Sequence, residues 1–220
     1  MNIADKLSNL KVSIPDHVEL VAVSKTKPTS VILEDYNAGQ RIFGENRVQE
    51  LALKYVELPK DIEWHLIGHL QTNKVKYIAG FVTLIHAIDS LKLLLTINKE
   101  AKKHDRIIDC LLQIHIAKEE TKYGFGAEEI VELLAAETIA DLTNINIKGL
   151  MGMATFTADT TIIKNEFSGL KNLFDQIESI QAENFKPSIL SMGMSGDYEI
   201  AIEAGSNMIR IGSLIFGERS

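Results

Sequence analysis

Short apolar runs and longer amphipathic stretches alternate along almost the whole chain. Eight runs have strand character: Glu19–Ser24, Arg41–Gly44, Glu63–Ile67, Val82–Ala87, Cys110–Ile116, Ile147–Ala154, Ile189–Met192 and Met208–Ile211. Between them, apolar residues recur every three or four positions, the period of a helix with one buried face. Val48, Leu51, Tyr55 and Leu58 form one such stripe, and Ile163, Phe167, Leu170, Phe174 and Ile177 form another. Asp89 reads as the N-cap of a helix through Lys103, and a further helix over Asn2–Leu10 precedes the first strand.

Several of the strand runs are apolar at every position, as parallel strands covered by helices on their outer side must be. Eight β/α alternations in 220 residues predict a compact α/β protein, a (β/α)8 barrel of the TIM type. No helix follows the last strand, and the helix over Asn2–Leu10 is expected to fill that gap. A doubly wound open sheet is the alternative topology. No linker rich in Pro, Gly or Ser interrupts the pattern, so one domain is expected over residues 1–220.

Composition narrows the classes of partner. A net charge of −7 and a pI near 5.4 argue against nucleic acid. The richest apolar stretch, "LKLLLTI", is too short to span a bilayer, and the acid-bearing N-terminus lacks a signal-peptide core, so no membrane association is expected. The single cysteine, Cys110, lies in a strand run and reads as a core thiol. A cytoplasmic location is the expectation.

Candidate chemistry sits where strands end, because the loops after barrel strands share one face. The first strand ends "AVSKTKP" and so presents Lys25. A primary amine there can condense with an aldehyde or ketone, although a solvated surface lysine has the same sequence signature. The seventh and eighth strands are followed by "GMSGD" and "IGS", which bring Ser195, Gly212 and Ser213. Small residues, hydroxyls and helix starts suit a phosphate, and the same residues also serve as turns and caps. Asn46 in "GEN" reads as the cap of a helix beginning near Arg47. Arg210 interrupts the apolar run "MIRIG" and needs acceptors; a salt bridge would supply one. His65, His69, His86 and His115 fall in or near strands without the spacing of a helical metal pair, and no metal is assigned to them.

These segments together resemble the pyridoxal phosphate homeostasis protein family, also called the alanine racemase N-terminal-domain-like or proline-synthase-co-transcribed family. The likeness rests on "AVSKTKP", "AGQRIFGENRVQE", "WHLIGHLQTNK", "TKYGF", "KGLMGMA", "LSMGMSGDYEIAIEAGS" and "RIGSLIFG", in family order over roughly residues 5–218. It implies a barrel of the fold-type III class, with pyridoxal 5′-phosphate held as an internal aldimine, N6-(pyridoxal phosphate)lysine, on Lys25. It further implies phosphate binding by Ser191, Ser195, Gly212 and Ser213, a pocket lined by Asn46, and Arg210 beside the pyridine nitrogen. Ser213 stands where relatives often have threonine; the hydroxyl is kept. A cation at the ring nitrogen disfavours its protonation and mutes carbanion chemistry.

Alanine racemases add a β-rich C-terminal domain, and none is expected here. The resemblance therefore implies a cofactor carrier in vitamin B6 and amino-acid homeostasis, with no catalytic residue assigned. The alternative is a weak racemase or other enzyme using Lys25, with Tyr123 or His86 as a second acid/base. Apo-enzymes that need the cofactor are the implied recipients. Lys27 or Lys122 could hold a second molecule, and a monomer is preferred over a dimer.

Overall fold

The computed structural model describes residues 2–117, 123–180 and 182–217. Its strands are β1 (Glu19–Val23), β2 (Ile42–Glu45), β3 (Glu63–Leu66), β4 (Leu84–Ile88), β5 (Ile108–Ile114), β6 (Ile145–Gly152), β7 (Phe185–Met194) and β8 (Met208–Ile211). They pair in chain order, all parallel, and β8 closes on β1 through Leu20↔Ile209 and Val21↔Arg210. Closure leaves no sheet edge and sends every strand's C-terminal end to one mouth. The predicted barrel is the observed one.

The helices are α1 (Ile3–Ser13), α2 (Thr29–Asn37), α3 (Val48–Glu57), α4 (Leu91–Lys102), α5 (Ala127–Ala135), α6 (Glu137–Ala140), α7 (Thr160–Ile177), α8 (Tyr198–Glu203) and α9 (Ser213–Phe216). A 3₁₀ turn over Thr72–Tyr77 replaces a helix between β3 and β4. As expected, α1 closes the ring: it is capped by Asn2 and packs against α9 and α2. The stripe on α7 buries Ile163, Phe167, Leu170 and Ile177, and Asp159 caps its first turn.

Strand alternation sorts the core into two layers. Leu20, Ala22, Phe43, Trp64 and Leu66 face the helices, whereas Val21, Leu84, Leu111, Met151 and Met208 form a separate cluster inside the barrel. Cys110 belongs to the outer layer, and burial pushes its thiol up beyond any physiological ionisation.

Two local expectations are corrected. The N-cap of α4 is Ser90, not Asp89, whose carboxylate instead pairs with His69 Nδ1 at 3.0 Å. Strand β7 is longer than its apolar centre suggests. Lys186, Pro187 and Ser188 hide its first half, and the ladder to β6 is irregular there, which accommodates a proline without a ladder N–H.

Candidate functional site at the barrel mouth

Lys25 lies two residues beyond the end of β1, the strand whose Val21 faces the barrel interior. It is partly buried. The next residue, Thr26, has φ 65°, a left-handed conformation rarely adopted by a β-branched residue. The neighbouring Ser24 alternates outward, into the layer between sheet and α3. There its hydroxyl donates to Glu45 Oε1 at 2.6 Å. Lys54 of α3 joins the same group, donating to Glu45 Oε1 at 2.7 Å, to the Ser24 carbonyl at 2.9 Å and to Glu50 Oε1 at 2.6 Å. Burial raises the Glu45 carboxyl above its usual range, with Lys54 pulling the other way.

Across the mouth, β7 and β8 deliver the small residues. Gly193 at φ 97° lets the chain turn out of β7, where a Cβ would meet that of Ala201 at 2.7 Å. Asp197 closes this turn by accepting from Met194 N at 2.6 Å. The Ser195 hydroxyl then accepts from Gly212 N at 3.3 Å, so the two loops meet directly. A Cβ at Gly212 would lie 3.2 Å from the Val23 carbonyl, which ties this corner to the strand that carries Lys25. Gly212 is the N-cap of α9, and its carbonyl accepts from Ile215 N at 3.1 Å and Phe216 N at 2.9 Å, which leaves the N–H groups of Ser213 and Leu214 ahead of the first helical bond.

Inside the barrel, Arg210 is buried and donates to the Ser191 hydroxyl at 2.6 Å, the Ser191 carbonyl at 2.9 Å and the Gly152 carbonyl at 3.0 Å. Burial pulls the guanidinium down to about 10, so it stays charged at neutral pH, with Asp197 the acid that favours its charge. The Ser191 hydroxyl also lies 3.1 Å from His86 Nδ1, and His86 Nε2 lies 3.1 Å from His65 Nδ1. Desolvation holds both imidazoles neutral, His65 at about 3 and His86 well below its usual value.

The alanine racemase N-terminal domain model matches residues 1–220. A pyridoxal phosphate homeostasis protein of Aquifex aeolicus is 43% identical over 202 residues, 91% of this chain and 87% of that protein. One from Helicobacter pylori J99 is 40% identical over 97% of this chain and 94% of its own length. The chain belongs to this family. Among solved structures, PipY of Synechococcus elongatus with PLP bound superposes with a TM-score of 0.88 at 34% identity, covering 98% of this chain and all of that one. An alanine racemase of Clostridium difficile shares the fold with a TM-score of 0.80 at 16% identity, and the match covers 60% of that longer chain.

The mouth brings together Lys25, Ser195, Gly212 and Ser213 from the ends of β1, β7 and β8. Asn46, just beyond β2, does not cap α3: the N-cap is Arg47 and no side chain closes it. The loop after β3 passes close against its backbone, where a Cβ on Gly68 would meet Asn46 O at 2.5 Å. Ser195 is likewise not the cap of α8, which is Asp197. Ser191 lies deeper than the other three phosphate candidates, with its hydroxyl engaged by Arg210 and His86. Carbonyls and a hydroxyl, rather than a salt bridge, hold Arg210 among the described residues.

His86 has both ring nitrogens in hydrogen-bond contact, which leaves it poorly suited as a free base. Tyr123 is largely exposed and stacks on His69 with centroids 4.1 Å apart. The Lys27 ammonium donates to the Phe216 carbonyl of α9 at 3.1 Å, while Lys122 lies outside the described residues. Among the described residues no group of three or more His, Cys, Asp or Glu side chains could hold a metal ion, and no helix is long and apolar enough to cross a membrane. A cleft of about 390 Å³ lined by Lys11, Gln40, Arg41 and Glu63 opens at the strands' N-terminal ends. In characterised barrels of this type the active site lies at the opposite face, formed by the strands' C-terminal ends.

Sequence reasoning missed Lys54 as a partner of Glu45 and Ser24. A lysine on the buried side of the α3 stripe was the available signal.

Proposed function

We propose that this protein binds pyridoxal 5′-phosphate at the barrel mouth and holds it as a carrier in vitamin B6 homeostasis. Lys25 is the covalent anchor for the aldehyde. Ser195, Gly212 and Ser213 take the phosphate, Arg210 faces the pyridine nitrogen, and Asn46 lines the pocket. The observation that carries this reading is the hydrogen bond from Gly212 N to the Ser195 hydroxyl, at a corner where a Cβ on Gly212 would crowd the carbonyl of Val23, two residues before Lys25.

The residues present fit the cofactor. Two hydroxyls, backbone N–H groups and a glycine give a dianion donors without a side chain in the way. When bound, pyridoxal phosphate supplies an aldehyde for imine exchange and a ring that withdraws electrons. The chain's own groups limit the second property. Arg210 is held by its acceptors as a permanent cation and has no proton acceptor to offer a ring nitrogen. Asp197, the nearest acid in these loops, is engaged at Met194 N. Binding and release, rather than turnover, are what this set of residues favours. Names and ligands of the relatives support the same assignment. Cofactor-requiring apo-enzymes are the proposed recipients, and cytoplasm the proposed compartment.

The test is the visible spectrum of the protein and of Lys25→Ala, each incubated with pyridoxal phosphate and desalted, then reduced with borohydride and peptide-mapped. A yellow band retained by the parent and lost in the variant, with the reduced adduct on Lys25, is expected. A colourless parent would overturn the reading.

A further inference from the structure

Three charged side chains lie behind the barrel wall at Lys25, where apolar packing would serve the fold as well. Burying an ammonium with carboxylates is weak evidence of stabilisation, because desolvation offsets the attraction. Their contacts share a different feature: they converge on the two residues that flank Lys25. Lys54 is 5% exposed, and all three of its donors are engaged, on the Ser24 carbonyl, Glu45 and Glu50. Glu45, fully buried, also accepts the Ser24 hydroxyl. Glu50 accepts the backbone N–H of Thr26 at 2.6 Å. Ser24 is thus gripped at its carbonyl and hydroxyl and Thr26 at its N–H, and Thr26 is the residue in the strained left-handed conformation.

We propose that Lys54, acting with Glu45 and Glu50, is a positioning residue that locks the Ser24–Thr26 turn from outside the barrel and so aims the Lys25 amine into the mouth. This rests on Lys25 being the aldehyde anchor. The grip is on backbone and hydroxyl atoms of the neighbours, so it orients the anchor without requiring a contact with whatever the anchor holds. Glu45 and Glu50 share the one ammonium, so losing Lys54 leaves two carboxylates facing each other and releases the Ser24 carbonyl. Losing the Glu50 carboxylate alone releases Thr26 and one Lys54 donor, while Glu45 and the Ser24 carbonyl keep the other two.

The experiment measures the rate at which pyridoxal, which lacks the phosphate, is trapped on Lys25 by borohydride, from pH 6 to 10, with peptide mapping. Parent, Lys54→Met, Lys54→Arg, Glu50→Ala, Glu50→Gln and the exposed control Val56→Ala are compared, and far-UV circular dichroism checks each fold. Glu50→Ala and Lys54→Met are expected to slow trapping about tenfold or more and to shift its pH midpoint, since misplacing a reacting group is costly. Glu50→Gln keeps an acceptor for Thr26 and is expected to stay within about threefold of the parent, as is Val56→Ala.

Folded Glu50→Ala that traps pyridoxal at the parent's rate and midpoint would overturn the proposal, even if Lys54→Met fails to fold. An equal loss in Glu50→Gln and Glu50→Ala would also overturn it. A parent that gives no adduct on Lys25 with pyridoxal or with pyridoxal phosphate would remove the anchor itself, and is read from the parent alone.

Discussion

Two buried polar groups stand on opposite sides of the barrel wall, and they are built differently. Outside, Ser24, Glu45, Glu50 and Lys54 bring together one cation and two acids at 2.6–2.9 Å. Inside, Arg210, Ser191, His86 and His65 form a chain with one cation and no acid in bonding contact among the described residues. The outer group ties its cation to two acids and a carbonyl, and its remaining bonds hold backbone and hydroxyl atoms in place. The inner group fixes a cation with neutral acceptors, so its charge stays available to whatever enters the barrel. Rigidity and presented charge are thus separated by one layer of strand.

Substitution of the two cations breaks this comparison most sharply. Lys54→Met strands Glu45 in a buried site and is expected to cost about 3–5 kcal/mol at pH 7. The cost falls at pH 5, because a carboxyl already raised by burial takes up a proton readily. Arg210→Met leaves no acid without a bonded partner, because Asp197, which feels the guanidinium charge, keeps the Met194 N–H. It leaves carbonyls of Ser191 and Gly152 short of a donor and is expected to cost about 1–3 kcal/mol, with little dependence on pH in that range. Urea titrations of both variants at pH 5 and pH 7 give the four numbers. Equal costs with equal pH dependence would show that the two groups do not differ as described.

Asp35 sharpens the comparison, because it belongs to neither style. It lies on α2, fully buried, with neither carboxylate oxygen in a hydrogen bond among the described residues. Desolvation raises it to about 7, against a weaker pull from Lys11. Between pH 4 and pH 7 the folded protein therefore keeps a proton that the unfolded chain has lost, and stability falls as pH rises through that window. The displacement from 3.8 to about 7 corresponds to roughly 4 kcal/mol at most. Asp35→Asn is expected to flatten this slope, gaining about 2–4 kcal/mol on the parent at pH 8 compared with pH 4. Thermal melts across that range check it, and parallel pH profiles for the two proteins would refute it.

The barrel was legible because its signal is repeated: eight strand-like runs, several apolar almost throughout, with helical stripes between. The position of Lys25 at the mouth was legible because it follows the first apolar run, whereas its chemistry was not, since a solvated surface lysine has the same signature. The outer group was not, since Glu45 and Lys54 sit on different elements, and only the packing of α3 on β2 shows that they meet. Alternation along β7 and β8 does put Ser191 and Arg210 on the same inner face. The register irregularity between them is what no strand pattern reveals. Likewise Asp89 reads as the cap of α4, whereas Ser90 holds that place and Asp89 pairs with His69, a contact between separate loops.

The smallest expected effect concerns the protons of the inner chain. A guanidinium only donates, so the Ser191 oxygen accepts from Arg210, and its own hydrogen is left to point at His86 Nδ1. His86 then carries its proton on Nε2 and gives it to His65 Nδ1, so His65 also carries its proton on Nε2. Both rings are held neutral, with the folded values below the ordinary 6.5. Their contribution to stability is therefore complete above pH 6.5 and declines as pH falls below it, opposite in sign to that of Asp35. Nitrogen-15 NMR of the imidazoles is expected to show two Nε2–H tautomers that do not titrate between pH 8 and pH 5. Ser191→Ala removes the one donor that fixes the order, at a cost of about 1–2 kcal/mol. It frees His86 to take the Nδ1–H form, which the same spectrum reads. A parent already in the Nδ1–H form would mean that the Ser191 hydrogen points elsewhere, and that Arg210 does not set the direction of the chain.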